Sequence, residues 1–248
     1  MKRLSVLCLA IIVIPLFSYA SDNYRWSIGF GGAAELYPYK GVDSDLTMVP
    51  IFNYNGDVFF VRGTMAGLYL WNTPVDALSL NINYSPLHFK SSDSNDAKLK
   101  YLNDRRSTAM AGVTYNYNAS WGIVRTSFSF DILNKSNGVI SDVAYLYKWS
   151  MNQLTLTPGF GIGWKDKKFN NYYYGVSVDE AKKSGLENYD AGGGVSPFIE
   201  FSAGYNMYNN FNMFVTGRYT KIDGDIKNSP MLDKSYSGFV FTGITYSF

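Results

Sequence analysis

This chain has little of what most extracytoplasmic enzymes and binding modules rely on. It holds one cysteine, Cys8, and one histidine, His88. A disulfide framework is therefore excluded, and so is a typical zinc site, which needs several Cys or His ligands. After the first 20 residues there is no long apolar run, so no helix in the rest of the sequence reads as membrane-spanning. Excess charge of either sign is missing as well. Removing residues 1–20 takes Lys2 and Arg3 from the 22 Lys and Arg, leaving 20 basic against 20 acidic side chains. That balance gives no electrostatic case for a nucleic-acid partner.

What is present begins with an address. "MKRLSVLCLAIIVIPLFSYA" has a basic start, an apolar run from Leu4 to Phe17 interrupted by Pro15, and small residues at Ser18 and Ala20. It reads as a secretory signal peptide cleaved after Ala20. Cys8 leaves with it, so the remaining chain, 21–248, is expected to fold as one domain held by packing and hydrogen bonds alone.

The second feature is alternation. In "LTLTPGFGIGW" (154–164), Leu154, Leu156, Phe160, Ile162 and Trp164 fall on one face; Thr155, Thr157 and three glycines fall on the other. "PFIEFSAGYNM" (197–207) sets Ile199, Phe201, Tyr205 and Met207 against Glu200, Ser202 and Asn206. The same period of two runs through 77–86, 122–133 and 139–149. Period-two runs of about ten residues, with aromatics at their ends, are the pattern of a transmembrane β-barrel strand; soluble sandwich strands average about five or six. A soluble lipocalin-like barrel would turn its apolar face inward and its charges outward, the opposite of this pattern. The fold expected is an all-β, antiparallel up-and-down transmembrane barrel in the outer membrane of a Gram-negative cell.

Twelve strands are expected: 24–34, 46–54, 57–63, 66–71, 77–86, 106–117, 122–133, 139–149, 154–164, 197–207, 211–219 and 237–248, with ten as the fallback. The ambiguous stretch is "DVFFVRGTMAGLYLW" (57–71), which gives two short strands only if the chain turns between Gly63 and Gly67. An even count puts both chain ends in the periplasm, short turns on that side, and the long links 36–45, 87–105, 165–196 and 220–236 outside. Charges on the polar faces are then lumenal: Arg25, Arg62, Arg106, Arg125 and Arg218 against Asp131, Asp142 and Glu200. They either plug the barrel with ion pairs or line a narrow wet channel. The chain ends "TGITYSF", and Gly243, Tyr246 and Phe248 resemble the terminal signal read by the barrel assembly machinery.

One stretch breaks the alternation, "YYYGVSVDEAKKSGLENYDAGGG" (172–194). Ser177 and Glu180 form a capping box, acids open and lysines close the helix that follows, and Gly185 fits a left-handed C-terminal position. Val178, Ala181 and Leu186 are expected to pack inward, with Asp179, Lys182 and Lys183 in water. This segment resembles the Y-G-V-S/T-x-x-E-A-x-x-S-G-L-x-x-Y pattern of the MltA-interacting protein (MipA/OmpV) family, through Tyr174, Gly175, Val176, Ser177, Glu180, Ala181, Ser184, Gly185, Leu186 and Tyr189. "YPYKGVDSDLTMVPIFNY" (37–54) and "NSPMLDK" (228–234) resemble two further family segments.

The resemblance implies an outer-membrane scaffold without catalytic residues or cofactors. Its founding member is known for bringing a lytic transglycosylase of the murein sacculus together with a bifunctional murein synthase. Other members are described as immunogenic proteins or linked to envelope stress and drug susceptibility. The partners expected are outer-membrane lipid and lipopolysaccharide, the assembly machinery, and periplasmic murein enzymes. A small-solute channel is the first alternative.

A lipid-modifying enzyme is the second, because His88 lies near Ser85 and Asp93 at a strand end, although no motif surrounds that serine. The acidic pairs Asp43/Asp45 and Asp223/Asp225 lack calcium-loop spacing, and Gly192–Gly194 lacks the Lys-Ser/Thr of a phosphate loop.

Overall fold

The computed structural model describes residues 25–44, 46–222 and 224–248. The expected leader, 1–20, lies outside the described residues, as do Asp45 and Asp223 of the two acidic pairs. The first strand segments are β1 (Trp26–Leu36), β2 (Leu46–Asn55), β3 (Phe59–Arg62), β4 (Met65–Asn72), β5 (Asp76–Ser85) and β6 (Thr108–Ala119). They are followed by β7 (Gly122–Asp131), β8 (Val139–Leu146), β9 (Trp149–Met151), β10 (Leu154–Lys165), β11 (Gly194–Asn206), β12 (Phe211–Lys221) and β13 (Tyr236–Ser247). Each pairs antiparallel with its neighbour, and β13 pairs with β1 from Ser27–Ser247 to Leu36–Gly238, which closes the barrel.

β8 and β9 keep one register on β10, Leu146 opposite Gly159 and Trp149 opposite Leu156. They are one strand interrupted at Tyr147–Lys148. The cause is Pro158 on the partner strand. Its carbonyl accepts from Tyr147 N–H at 3.0 Å, but it has no N–H to give back. The barrel is therefore twelve-stranded, as the alternation predicts, and the turn within 57–71 falls at Gly63–Thr64.

Burial follows the period of two. On β11, Ser196, Phe198, Glu200 and Ser202 are buried in the lumen, while Val195, Ile199 and Phe201 are exposed on the outside. Phe30, Phe160 and Ile199 are each at least 60% exposed, a belt that only a hydrocarbon surround would leave uncovered. One end of the barrel carries the short turns at 56–58, 73–75, 120–121, 152–153 and 207–210. Trp26, Trp71, Trp121, Trp149, Phe211 and Phe248 lie exposed near these turns, like a girdle at a membrane interface.

The other end carries the links 37–45, 86–107, 132–138, 166–193 and 222–235. Two helices stand in the longest: α1 (Lys167–Tyr174), N-capped by Asp166, and α2 (Val178–Ser184). The sequence predicts α2 but not α1. Phe169, Asn170, Tyr173 and Tyr174 of α1 are buried.

Candidate functional site

The links at the second end pack on one another and build a hydrophobic core of their own. Tyr37, Tyr39, Phe89, Leu99, Leu102, Phe169, Tyr173, Tyr174, Val176, Met231 and Leu232 share one cluster. The three segments singled out in the sequence meet there. Tyr39 forms a bridge with Leu232, Lys40 N–H donates to the Met231 carbonyl at 3.0 Å, and Ser229 Oγ donates to the Tyr174 carbonyl at 2.6 Å. Val176 and Tyr189 exchange both backbone bonds, closing the α2 segment into a loop. These three segments are thus packing segments, the joint of a cap over the barrel mouth.

The pivot of this cap is Glu180. It completes the capping box: its N–H donates to Ser177 Oγ, and its own Oε2 accepts from Ser177 N–H at 2.9 Å. Its Oε1 accepts from Asn103 N–H at 2.9 Å and from Arg105 Nη2 at 2.8 Å, tying α2 to the 86–107 link. Both side chains are buried. Burial by itself would raise the Glu180 carboxyl; the bonds from Ser177, Asn103 and Arg105 outweigh it and hold the group below its ordinary value.

Gly185 ends the helix at φ 68°, as expected, and Ser184 Oγ back-bonds to the Glu180 carbonyl. Ala181 and Leu186 are half-buried, but Val178 is 55% exposed. The inward face of α2 is polar, Glu180 and Ser184, because the partner it meets is an arginine.

Across the lumen runs a second charged network. Arg125 Nη2 of β7 lies 2.9 Å from the Glu200 carboxylate of β11. Arg218 of β12 bridges Glu200 at 2.8 Å and Asp142 of β8 at 2.9 Å, and its guanidinium stacks 3.9 Å over the Phe198 ring. Arg125 and Glu200 are buried. Beside this network the inward side chains Ala33, Val49, Ile51, Phe214 and Phe241 fill one flank of the barrel. The rest of the lumen keeps a cavity of about 260 Å3, lined among others by Arg62, Asn81, Asn83, Arg125, Asp142 and Lys165.

Of the eight expected lumenal charges, Arg62, Arg125, Asp142, Glu200 and Arg218 face the interior. Arg25 does not: it precedes β1 at the turn end, where it pairs with Asp57, both exposed. Arg106 is exposed too, because β6 starts at Thr108 and the buried position before it belongs to Arg105. Asp131 is buried at the rim without a cation. It accepts from Thr108 Oγ1, Ser136 Oγ and the N–H groups of Leu133, Lys135, Ser136 and Asn137, and so shapes the 132–138 turn.

Sequence reasoning missed two lumenal charges, Glu35 and Lys165, since each lies one residue past the expected end of its strand. The missed cap partner Arg105 carries no sequence signal. At the seam, Gly243 faces the lumen, while Tyr246 and Phe248 face outward in the girdle. His88 Nδ1 sits 2.9 Å from the Pro86 carbonyl oxygen rather than on Ser85 or Asp93, so no nucleophile–base pair forms there. Among the described residues no three His, Cys, Asp or Glu side chains are placed to hold a metal ion.

Comparison with known proteins agrees with this geometry. The family described as MltA-interacting protein MipA matches residues 28–248. The chain is 41% identical to the MltA-interacting protein of Escherichia coli (strain K12) over 248 residues, the full length of both. It is 33% identical to the putative outer membrane protein YiaT of the same organism, covering 96% of this chain and 97% of that one. With the outer membrane protein OmpV of Vibrio cholerae it shares 26% over 90% of this chain and 87% of the relative. The barrel is an outer-membrane protein, and the chain belongs to the MltA-interacting protein (MipA) family.

Proposed function

We infer that the protein is a non-enzymatic anchor in the outer membrane that holds murein-remodelling enzymes, a lytic transglycosylase and a murein synthase, at its periplasmic face. The observation that carries this reading is the full-length 41% identity to a relative whose name is MltA-interacting protein. The geometry is compatible with it. A lumen crossed by ion pairs and a mouth covered by a packed cap belong to a body that is held, not to an open passage. The docking surface is then the turn end, with the aromatic side chains of Trp121 and Tyr208 and the Arg25–Asp57 pair exposed on it. The capped end faces away from the murein and takes no part.

The test is a crosslinked pull-down of the tagged protein from native envelopes, with an unrelated barrel as control. The anchor reading expects a lytic transglycosylase or murein synthase enriched over the control, and expects Tyr208→Ala with Trp121→Ala to reduce the yield severalfold. Recovery of assembly factors and lipopolysaccharide alone would count against it. The 260 Å3 cavity favours a second reading, a small-solute channel.

A further inference from the structure

The barrel wall has a window. β3 is four residues long and pairs only with Asn53–Asn55 of β2. The last bond across that edge is Gly63 N–H to the Phe52 carbonyl, and on the far side Tyr84 N–H donates to the Thr64 carbonyl. Beyond this hairpin tip, Leu46 to Ile51 of β2 have β1 on one side and no strand on the other. The opening has a roof, since Asn95 N–H donates to the Gly41 carbonyl at 2.8 Å and Ser94 Oγ to the Lys40 carbonyl at 2.7 Å.

Backbone groups alternate along β2. Asn55 bonds toward β1 and Phe52 toward β3, so Pro50, Met48 and Leu46 turn their polar groups to the window. Pro50 has no N–H to leave unpaired, which is how sequences protect an open edge.

This window stands at lipid level. Pro50 is opposite Phe30, and Leu46, Met48 and Phe52 are exposed on the outer face beside it. Irregular backbone at membrane depth is tolerated only where it borders a polar cavity, and the cavity reaches the window at its β5 edge, through Asn83, Tyr84 and Ser85. Its lining includes Leu36 and Tyr84, which point outward from their strands, together with the inward Asn83 and Arg62, so the space passes around the wall rather than stopping at it.

The chemistry changes along its depth. The mouth is apolar, with Leu36, Met65, Pro86 and Leu87. The interior carries four cations, Arg62, Arg125, Lys165 and Arg218, against two carboxylates, Asp142 and Glu35. Arg62 spends its bonds on Asn55 and Tyr69, neither of them a carboxylate, and Lys165 also lines the space. Arg125 Nη1 and Arg218 Nε are buried donors without an acceptor. Of the two carboxylates, Asp142 is paired with Arg218, and Glu35 is bonded by Tyr37 while its Oε1 is buried without a donor.

We propose that this cavity binds a single-chain amphiphile with an anionic head, carboxylate or phosphate, taken laterally from the outer membrane through the window between β2 and β5. The head sits among Arg62 and Lys165, and the tail lies against Leu36, Met65 and Leu87 and leaves through the window into the bilayer. This binding site does not depend on any murein partner.

The test uses the refolded protein in phospholipid nanodiscs with three photoactivatable probes of equal chain length: a fatty acid, its methyl ester, and a lysophosphatidic acid. Mass spectrometry maps the labelled residues. The proposal predicts saturable labelling at Leu36, Met65 and Leu87 by one or both anionic probes, with the preferred head group identifying the source. Labelling by the methyl ester should be about tenfold weaker, the scale of one charged hydrogen-bonding contact.

Arg62→Gln with Lys165→Gln should lower labelling by the anionic probes to the ester's level, and Met65→Trp should block the mouth. Heat-modifiable migration confirms that the variants fold. Should one fail, competition by unlabelled fatty acid on the unmodified protein decides instead. Uniform labelling of the outer belt, including Ile162 and Ile199, with no preference for the charged probes, would overturn the proposal.

Discussion

Glu200→Ala is expected to destabilise the refolded barrel by about 3–5 kcal/mol, the scale for removing one member of a buried ion pair. Arg125 and Arg218 both rest on this carboxylate, whose side chain is 3% exposed. Its loss leaves two guanidinium groups facing each other across the lumen with Asp142 as their remaining acid. The penalty is that of uncompensated charge, not of the pair's own attraction, so replacing the set together should behave differently. A quadruple variant, Arg125→Leu, Asp142→Asn, Glu200→Leu and Arg218→Met, should recover most of the loss by replacing ion pairs with packing. Arg25→Ala, which breaks only an exposed pair with Asp57, should be silent. Urea unfolding followed by heat-modifiable migration reads all three.

Glu180→Ala should release the cap while the barrel stays closed. The carboxylate holds Arg105, Asn103 N–H and the capping box together, so its removal orphans a buried cation and frees two part-buried donors; the cation sets the scale, again about 3–5 kcal/mol. The readout is hydrogen exchange and protease cutting within 166–193, with barrel migration unchanged.

Acid should do the same by titration. The folded Glu180 is held below its ordinary value, so its contribution is fully present above the unfolded carboxyl's pKa. It is lost as pH falls through the lower, folded value. Cap protection should therefore be constant near neutral pH and fall only in acid below the usual glutamate range. Glu180→Gln should remove that acid dependence.

The barrel was legible because its two faces meet two solvents. Lipid outside and a polar lumen inside impose period two on nearly every strand, and Ile199, Glu200, Phe201 and Ser202 suffice to read β11. Ends were less legible, since a strand continues as far as its neighbour can pair. Glu35 and Lys165 lie just past the apolar pattern yet still bond to β13 and β11, so two lumenal charges escaped.

Arg106 keeps the lumenal phase of Thr108 and Met110, but the strand begins only at Thr108, and Arg105, bridged to Phe89, takes the buried place. α2 announced itself through its caps, which are local chemistry. Its buried face did not, because the Glu180–Arg105 contact joins positions 75 residues apart. α1 has an N-cap at Asp166 and a single i, i+4 aromatic pair, Phe169 and Tyr173, too short a run to read as a helix without the other links that pack on it.

We propose that the ion pairs across the lumen and the packed cap on its mouth close the barrel to solutes along its axis. Single-channel recording of the refolded protein in planar bilayers tests this most directly. A silent membrane, with brief currents appearing only in Glu180→Ala, is the predicted result. Stable, regular conductance steps in the unmodified protein would contradict it and make the barrel a channel.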